Sequence, residues 1–142
     1  MNQRVGVSGI ADRNGAVLVI RRSKRESFLP GIFELPGGKL RFGESPEAAL
    51  HREFLEETGM EVCAIRLLNA RSYISQSGAQ HNIELFYTVQ IAANNSDVRL
   101  SAAHEEYRWI RSEELELIGL PPEDAIRKII QSYFASSKIS AL

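Results

Sequence analysis

Residues 38–60 read GKLRFGESPEAALHREFLEETGM and contain the clearest helix signals of the chain. Ser45 is a residue type that caps helix N-termini, Pro46 suits the first helical position, and Gly59 can adopt the left-handed conformation just past the end. These signals predict one helix over about residues 46–58.

Three glutamates, Glu53, Glu56 and Glu57, share one face of this predicted helix, since positions i, i+3 and i+4 fall within an arc of about 100°. Like charges at this spacing destabilise a helix by about 0.2 to 0.5 kcal/mol per pair. Arg52, near the edge of the arc, does not neutralise three carboxylates. A hard divalent cation would, because Mg²⁺ prefers oxygen ligands and keeps waters that phosphate groups can replace. A solvated acidic face is the alternative.

Apolar residues on both sides of the acidic face favour a ligand site over that alternative. Leu50 and Phe54 form one apolar edge, and Ala48 and Leu55 form the other, so the helix is predicted to pack on two sides around a cleft. Just upstream, the Pro-Gly-Gly sequence of residues 36–38 supplies a backbone that can come close to a metal or a phosphate, because glycine has no side chain to block it.

The length and composition favour one soluble domain over residues 1–142, with 44% hydrophobic and 25% charged residues. The 17 basic and 18 acidic residues give a net charge of -1, which argues against a nucleic-acid polymer as partner. The longest early apolar run, residues 16–20, is too short to span a membrane, which also argues against a membrane partner and favours a cytoplasmic protein. The single cysteine, Cys63, lies in an apolar stretch and is predicted to be buried.

The remaining pattern predicts strands around two helices. Asn14-Gly15 is typical of a hairpin turn, and residues 23–37 read as a loop with one short strand near its end. A second helix is predicted after Pro121-Pro122. Further strands are predicted over residues 62–75, 83–91 and 107–110, which together indicate a mixed α/β fold.

Residues 38–60 resemble the Nudix hydrolase signature, which is Gly, five residues, Glu, seven residues, Arg-Glu, an apolar residue, any residue, Glu-Glu, any residue, Gly and an apolar residue. The order of predicted elements is similar to the α/β/α sandwich of this family, with a mixed β-sheet between helices. The matching fixed positions are Gly38, Glu44, Arg52, Glu53, Glu56, Glu57 and Gly59.

The resemblance implies hydrolysis of a nucleoside diphosphate linked to another group, with Mg²⁺ or Mn²⁺ as cofactor. Arg52 would orient a glutamate, and Glu44 would fix the geometry between the loop and the helix. The implied metal ligands are the Gly37 carbonyl, Glu53, Glu56 and Glu57.

The identity of the general base stays open. Glu53 or a carboxylate outside the helix would accept the proton of the attacking water. Many relatives place a glutamate six residues before the aromatic residue of the last core strand, which is Trp109 here, but this chain has Ala103 at that position. Glu105 could take the role after a small loop shift, or could merely solvate a strand edge.

Four residues are predicted to bind substrate. Arg22, at the end of a strand, could grip a terminal phosphate with its planar guanidinium, and Gly38 and Lys39 begin the signature. Asp124 stands where MutT-type nucleoside triphosphatases carry Asn, which weakens an assignment to oxidised guanine. Four aromatic side chains could stack a base or belong to the core: Tyr73, Phe86, Tyr87 and Trp109.

The leading functional hypothesis is a MutT-type pyrophosphohydrolase that cuts a (deoxy)nucleoside triphosphate into a monophosphate and pyrophosphate. Two alternatives are a pyrophosphatase acting on ADP-ribose or a nucleotide sugar, and a nucleotide-sensing module without turnover, which Ala103 motivates. In each case the expected partner is a small-molecule nucleotide, and a homodimer stays open.

Overall fold

The structure is a computed structural model that describes residues 2–75, 77–92 and 97–141. The helices are α1 (Pro46–Thr58), a 3₁₀ helix (Ser112–Ile118) and α2 (Ala125–Ala141). The strands, in chain order, are β1 (Asn2–Arg13), β2 (Ala16–Arg22), β3 (Phe33–Glu34), β4 (Gly37–Lys39), β5 (Val62–Ile74), β6 (Gln80–Ile91) and β7 (His104–Ile110).

The strands form a mixed sheet built around β1. β1 pairs with β6 in parallel and with β2 and β4 in antiparallel orientation. β5 extends the sheet beyond β6, while β3 and β7 both pair with β2. The predicted turn between β1 and β2 is confirmed, with φ of 54° at Asn14 and 85° at Gly15, the positive values that tight hairpins require.

Two hydrophobic clusters cover the two faces of the sheet. On one face, α1 buries Leu50 and Phe54 against strand residues such as Leu18. On the other face, α2 buries Ile129 and Ile130. Each such buried side chain contributes about 1.5–3 kcal/mol. The sheet therefore lies between helices, which confirms the predicted α/β/α sandwich.

Helix α1 has the predicted bounds because both predicted caps are formed. The Ser45 hydroxyl accepts a hydrogen bond from the Ala48 N–H, and Gly59 has φ of 71°. The prediction that α1 packs on two sides is wrong, since the side of Ala48 and Leu55 is exposed to solvent. The acidic face therefore has apolar packing on one flank only.

Other features also differ from the predictions. The short strand β4 and the 3₁₀ helix were not predicted, and β7 begins at His104 rather than at Tyr107. Cys63 is exposed rather than buried, because it points to the face of β5 opposite Val62 and Ala64, which pack in the cluster with α1. Within residues 2–75, 77–92 and 97–141, no helix has the length and apolar content needed to span a membrane.

Candidate active site

Glu57 is the helix glutamate that lines a cavity beside β4, and it is held by the backbone of that strand. The Gly37 N–H donates a hydrogen bond of 2.9 Å to Glu57 Oε1. Burial raises the pKa of Glu57 to about 8, and the negative charges of Glu34 and Glu53 act in the same direction. Without a cation, this carboxylate therefore favours its neutral form.

The ladder between β1 and β4 leaves the Gly37 backbone free for the site. In antiparallel pairs, hydrogen-bonded positions alternate with positions that are not hydrogen-bonded. The Gly9 N–H donates to the Pro36 carbonyl, and the Leu40 N–H donates to the Val5 carbonyl. By this alternation Gly37, opposite Ser8, is not hydrogen-bonded to β1. Its N–H and carbonyl both point away from β1, towards the side where Glu57 lies.

Glu53 lies directly against Gly38. A Cβ atom at Gly38 would come within 2.5–2.7 Å of the Glu53 carboxyl group, which is much shorter than a van der Waals contact. Only glycine at this position allows the carboxylate to approach the β4 backbone so closely.

Gly38→Ala is therefore expected to push Glu53 away and to lower kcat by about 10²-fold, the cost of a displacement of about 1 Å at a catalytic centre. Steady-state assays and a thermal melt measure the two effects separately. Gly6→Ala on β1 is the matched control, because its Cβ would meet only the Gly38 carbonyl oxygen, at 3.6 Å. Equal losses of activity in both variants would contradict the role of the contact between Gly38 and Glu53.

Arg52 ties the loop before α1 to the helix glutamates. Its Nε and one terminal nitrogen donate to the two oxygens of Glu44, both at 2.8 Å, and its other terminal nitrogen donates to Glu53 at 2.7 Å. The hydrogen bonds from Arg52 hold the pKa of Glu44 at about 2. Arg52 also donates to the Lys39 carbonyl, at 3.1 Å. This network places Glu53 with a fixed orientation.

The three helix glutamates have different surroundings. Glu56 is half exposed, with Arg41 and Arg52 at 3.6 and 3.5 Å from its oxygens. In the described part of the chain, one group of three acidic or imidazole side chains has ligand atoms that all lie within 4.8 Å of one another, namely Glu34, Glu57 and His104. Glu53 and Glu56 are not part of that cluster.

A cavity of about 550 Å³ lies beside Glu57. Gly37, Gly38 and Glu34 line it on the β3–β4 side, and Arg22 lines it at the end of β2. The Arg22 Nε donates a hydrogen bond of 2.7 Å to the Phe28 carbonyl. The terminal nitrogens of Arg22 lie 3.6 Å from Glu34 and 3.9 Å from Glu26. One cavity thus brings a guanidinium and the Glu57 carboxylate together.

Glu105 does not reach this cavity, because β7 contains a bulge. Residues from Ile110 back to Glu106 pair regularly with β2, but Arg22 pairs with His104, so Glu105 is the extra residue. A regular ladder would have placed Glu105 opposite Arg22. Instead, Glu105 forms an ion pair of 3.2 Å with Arg21, and His104 is buried on the side of Glu34.

The other predicted substrate residues differ in position. Asp124 lines the cavity, but its Oδ1 also accepts hydrogen bonds from the N–H groups of Ile126 and Arg127 and so caps α2. Lys39 is exposed and is not among the residues that line the cavity.

Of the four aromatic residues, Tyr73 lines the cavity. Phe86 and Tyr87 are buried in the core, and Trp109 packs against it, so these three follow the structural alternative. The sequence-based interpretation missed Glu34, His104 and the apolar cavity residues Phe28, Leu29 and Ile32. No sequence motif includes these residues, although His104 directly follows Ala103, the position at which many relatives have a glutamate.

Comparisons with known proteins agree with this geometry. The NUDIX domain family model matches residues 2–131. The nucleoside triphosphatase NudI of Enterobacter sp. (strain 638) is 30% identical over 127 residues, which cover 84% of this chain and 90% of that protein.

Solved structures with the same fold cover nearly the whole chain. A MutT protein from Methanosarcina mazei Go1 matches with a TM-score of 0.77 and 24% identity, covering 96% of each chain. A MutT NUDIX hydrolase from Burkholderia pseudomallei matches with a TM-score of 0.69 and 28% identity, over 91% of this chain and 96% of that one. The family signature, the fold and these matches agree, and the chain belongs to the Nudix hydrolase family.

Proposed function

We propose that the protein hydrolyses a nucleoside triphosphate or deoxynucleoside triphosphate to the monophosphate and pyrophosphate, with a divalent cation. The observation that carries this proposal is that one cavity is lined by Arg22, Glu57 and the Gly37–Gly38 backbone. A guanidinium suits phosphate oxygens, and a carboxylate beside glycine backbone suits a cation that bridges to them. The similarity to a protein named nucleoside triphosphatase supports the same substrate class.

The donor atoms fit a hard divalent cation such as Mg²⁺ or Mn²⁺. Glu57 is half-buried, and its desolvation raises its pKa, so a cation beside it would favour its charged form, and the Gly37 carbonyl is free of the β1 ladder. Carboxylate and carbonyl oxygens are ligands of the type that these ions prefer. We assign Gly37, Glu53, Glu56 and Glu57 as the residues that would hold the cation. When bound, it would neutralise phosphate charge and activate a water.

The protein's own residues position the substrate. Arg22 would hold a terminal phosphate, and its bond to the Phe28 carbonyl fixes the guanidinium at the cavity wall. The phosphates of the substrate would lie close to the Gly38 backbone. Arg52, itself held by Glu44, orients Glu53. The ion pair between Glu105 and Arg21 gives no support to a catalytic role for Glu105.

The apolar part of the cavity suits a nucleobase. Phe28, Leu29 and Ile32 line it and are exposed by 62%, 49% and 39%, which is unusual for large apolar side chains grouped on one loop. Tyr73 and Asp124 also line the cavity. A base bound there would cover this apolar surface, and Lys39 would remain outside, near the solvent.

The test is a panel of the common ribo- and deoxyribonucleoside triphosphates, ADP-ribose and nucleotide sugars, assayed with Mg²⁺ or Mn²⁺ and with EDTA as the blank. The expected result is cation-dependent release of pyrophosphate and a nucleoside monophosphate. Release of AMP and ribose phosphate from ADP-ribose alone would favour a nucleotide-sugar pyrophosphatase. Tight nucleotide binding without turnover would favour a sensing module.

We infer that the protein acts in the cytoplasm on a small-molecule substrate. A homodimer stays a prediction. β5 is the edge strand next to β6, and Ile65 and Leu67 on it are exposed by 63% and 49%. An exposed apolar edge strand is a surface on which two copies could pair. Sedimentation of the protein at several concentrations measures the assembly state.

A further inference from the structure

Glu34 lies beside Glu57 in the cavity but belongs to no motif of the sequence. It is the second residue of the two-residue strand β3 and pairs with Ile20 of β2. Because paired residues share a face of a sheet, Glu34 projects to the same side as Ile20, which packs in the cluster that includes α1. Glu34 is therefore a carboxylate outside the helix that reaches the site.

Two basic side chains hold one oxygen of Glu34. His104 Nε2 lies 2.8 Å from Glu34 Oε1, and the Arg22 guanidinium lies 3.6 Å from the same oxygen. Neither of these contacts involves the other oxygen, Oε2. Glu34 is thus anchored at one oxygen, with the other available to a ligand of the cavity.

His104 is better suited to orient Glu34 than to bind a metal. Its side chain is only 1% exposed, and its Nδ1 is buried without a hydrogen-bond partner. If Nε2 bound a metal, the proton on Nδ1 would need an acceptor such as a carboxylate or carbonyl, and Nδ1 has no hydrogen-bond partner among the described residues. A hydrogen on Nε2, donated to Glu34, leaves Nδ1 without one and avoids an unpaired buried N–H.

The other two candidate proton acceptors are less suited to the task. Glu53 already receives a hydrogen bond of 2.7 Å from Arg52 and is assigned to the cation. Glu105 is paired with Arg21. Glu34, in contrast, offers a carboxylate oxygen within 4.8 Å of Glu57, close enough for one water molecule to contact both groups.

We propose that Glu34 is a further catalytic residue, which orients the attacking water beside Glu57 and accepts its proton, and that His104 is the positioning residue that holds Glu34. In this step the water oxygen forms a bond to phosphorus, the anhydride bond to the pyrophosphate leaving group breaks, and one water proton passes to Glu34. The step involves no oxidation or reduction. The assignment rests on the proposed function, since it names the base of that reaction.

The first test compares Glu34→Gln with Glu26→Gln. Both glutamates lie near Arg22, at 3.6 and 3.9 Å, but Glu26 does not line the cavity. We expect Glu34→Gln to lower kcat by about 10²–10⁴-fold, the usual contribution of a general base, with a much smaller change in KM. Glu26→Gln should keep the kcat of the wild type. Unchanged kcat in Glu34→Gln would overturn the proposal.

The second test separates positioning from a merely structural role of His104. His104→Phe removes the donor, whereas His104→Gln keeps an N–H at a similar distance from the backbone. We expect about a tenfold fall in kcat for His104→Phe, because the carboxylate loses its orientation, and recovery of most of it in His104→Gln. Thermal melts report any general loss of stability. Equal loss of kcat in both variants would contradict the positioning role.

A third measurement does not depend on activity. Mn²⁺ binding to the protein without nucleotide, followed by electron paramagnetic resonance, should be weakened in Glu57→Gln and unchanged in Glu34→Gln. Loss of Mn²⁺ binding in Glu34→Gln would make Glu34 a metal ligand and overturn its assignment as the base. If the wild type hydrolyses the panel but Glu34→Gln is equally active, only this inference fails. If the wild type hydrolyses nothing, the proposed function fails, and the inference fails with it.

Discussion

Replacement of Glu57 by glutamine is expected to lower the cation-dependent kcat by about 10³-fold or more, since a metal contributes several kcal/mol of charge stabilisation in the transition state. Glutamine has the same shape, and its Oε1 can still accept the hydrogen bond that the Gly37 N–H now donates. The fold should therefore persist while the cation is held less tightly.

Pyrophosphate release and Mn²⁺ binding measure the two effects of Glu57→Gln. Glu47→Gln is the matched control, because Glu47 lies in the first turn of the same helix and its side chain lies near the Tyr87 hydroxyl, at 3.4 Å. It should retain both activity and Mn²⁺ affinity. Normal turnover in Glu57→Gln would remove the central carboxylate from the proposed site.

The cation-free protein is expected to lose stability as the pH rises from about 4.5 to 8. In the unfolded chain, a glutamate loses its proton near its ordinary pKa of 4.5, whereas burial raises the pKa of Glu57 to about 8 in the folded protein. Between these values the folded state holds the extra proton. The stabilisation is fully present below pH 4.5 and disappears as the pH passes 8. Its size is at most about 5 kcal/mol.

Urea unfolding in EDTA at pH 5 and pH 8 tests this expectation. Other groups also titrate, so the difference between the wild type and Glu57→Gln isolates the carboxyl group. The variant should be the more stable protein at pH 8. Cation binding near pH 7 should release a proton, seen as a dependence of the calorimetric heat on the buffer. The same pH slope in both proteins would contradict the raised pKa of Glu57.

Helix α1 and the first hairpin were predictable because their signals are local. The Ser45 cap, the proline after it and Gly59 each act within one turn of the helix. Asn14 and Gly15 likewise set their own turn by their backbone conformation. Such features depend on neighbouring residues only, so the amino-acid sequence specifies them directly.

The parts of the site that were missed depend on pairing between distant segments. Glu34 lies 70 positions from His104 in the chain, and strand β3, which carries it, has only two residues. The exposure of Cys63 and of the side of α1 around Leu55 also depends on which neighbours are absent from those surfaces. The hydrophobic periodicity of one segment does not show which distant segments pair or which surfaces stay uncovered.

The bulge in β7 means that the number of residues in this strand, as well as their chemistry, decides which side chain lies beside Glu34. Imidazole and carboxylate stand next to each other at His104 and Glu105, and in a strand a slip of one position moves every side chain to the opposite face. Deleting His104 would let the ladder close without an extra residue and set Glu105 opposite Arg22. Deleting this one residue would thus replace the buried imidazole with a third carboxylate, next to Glu34 and Glu57, without introducing any new amino acid.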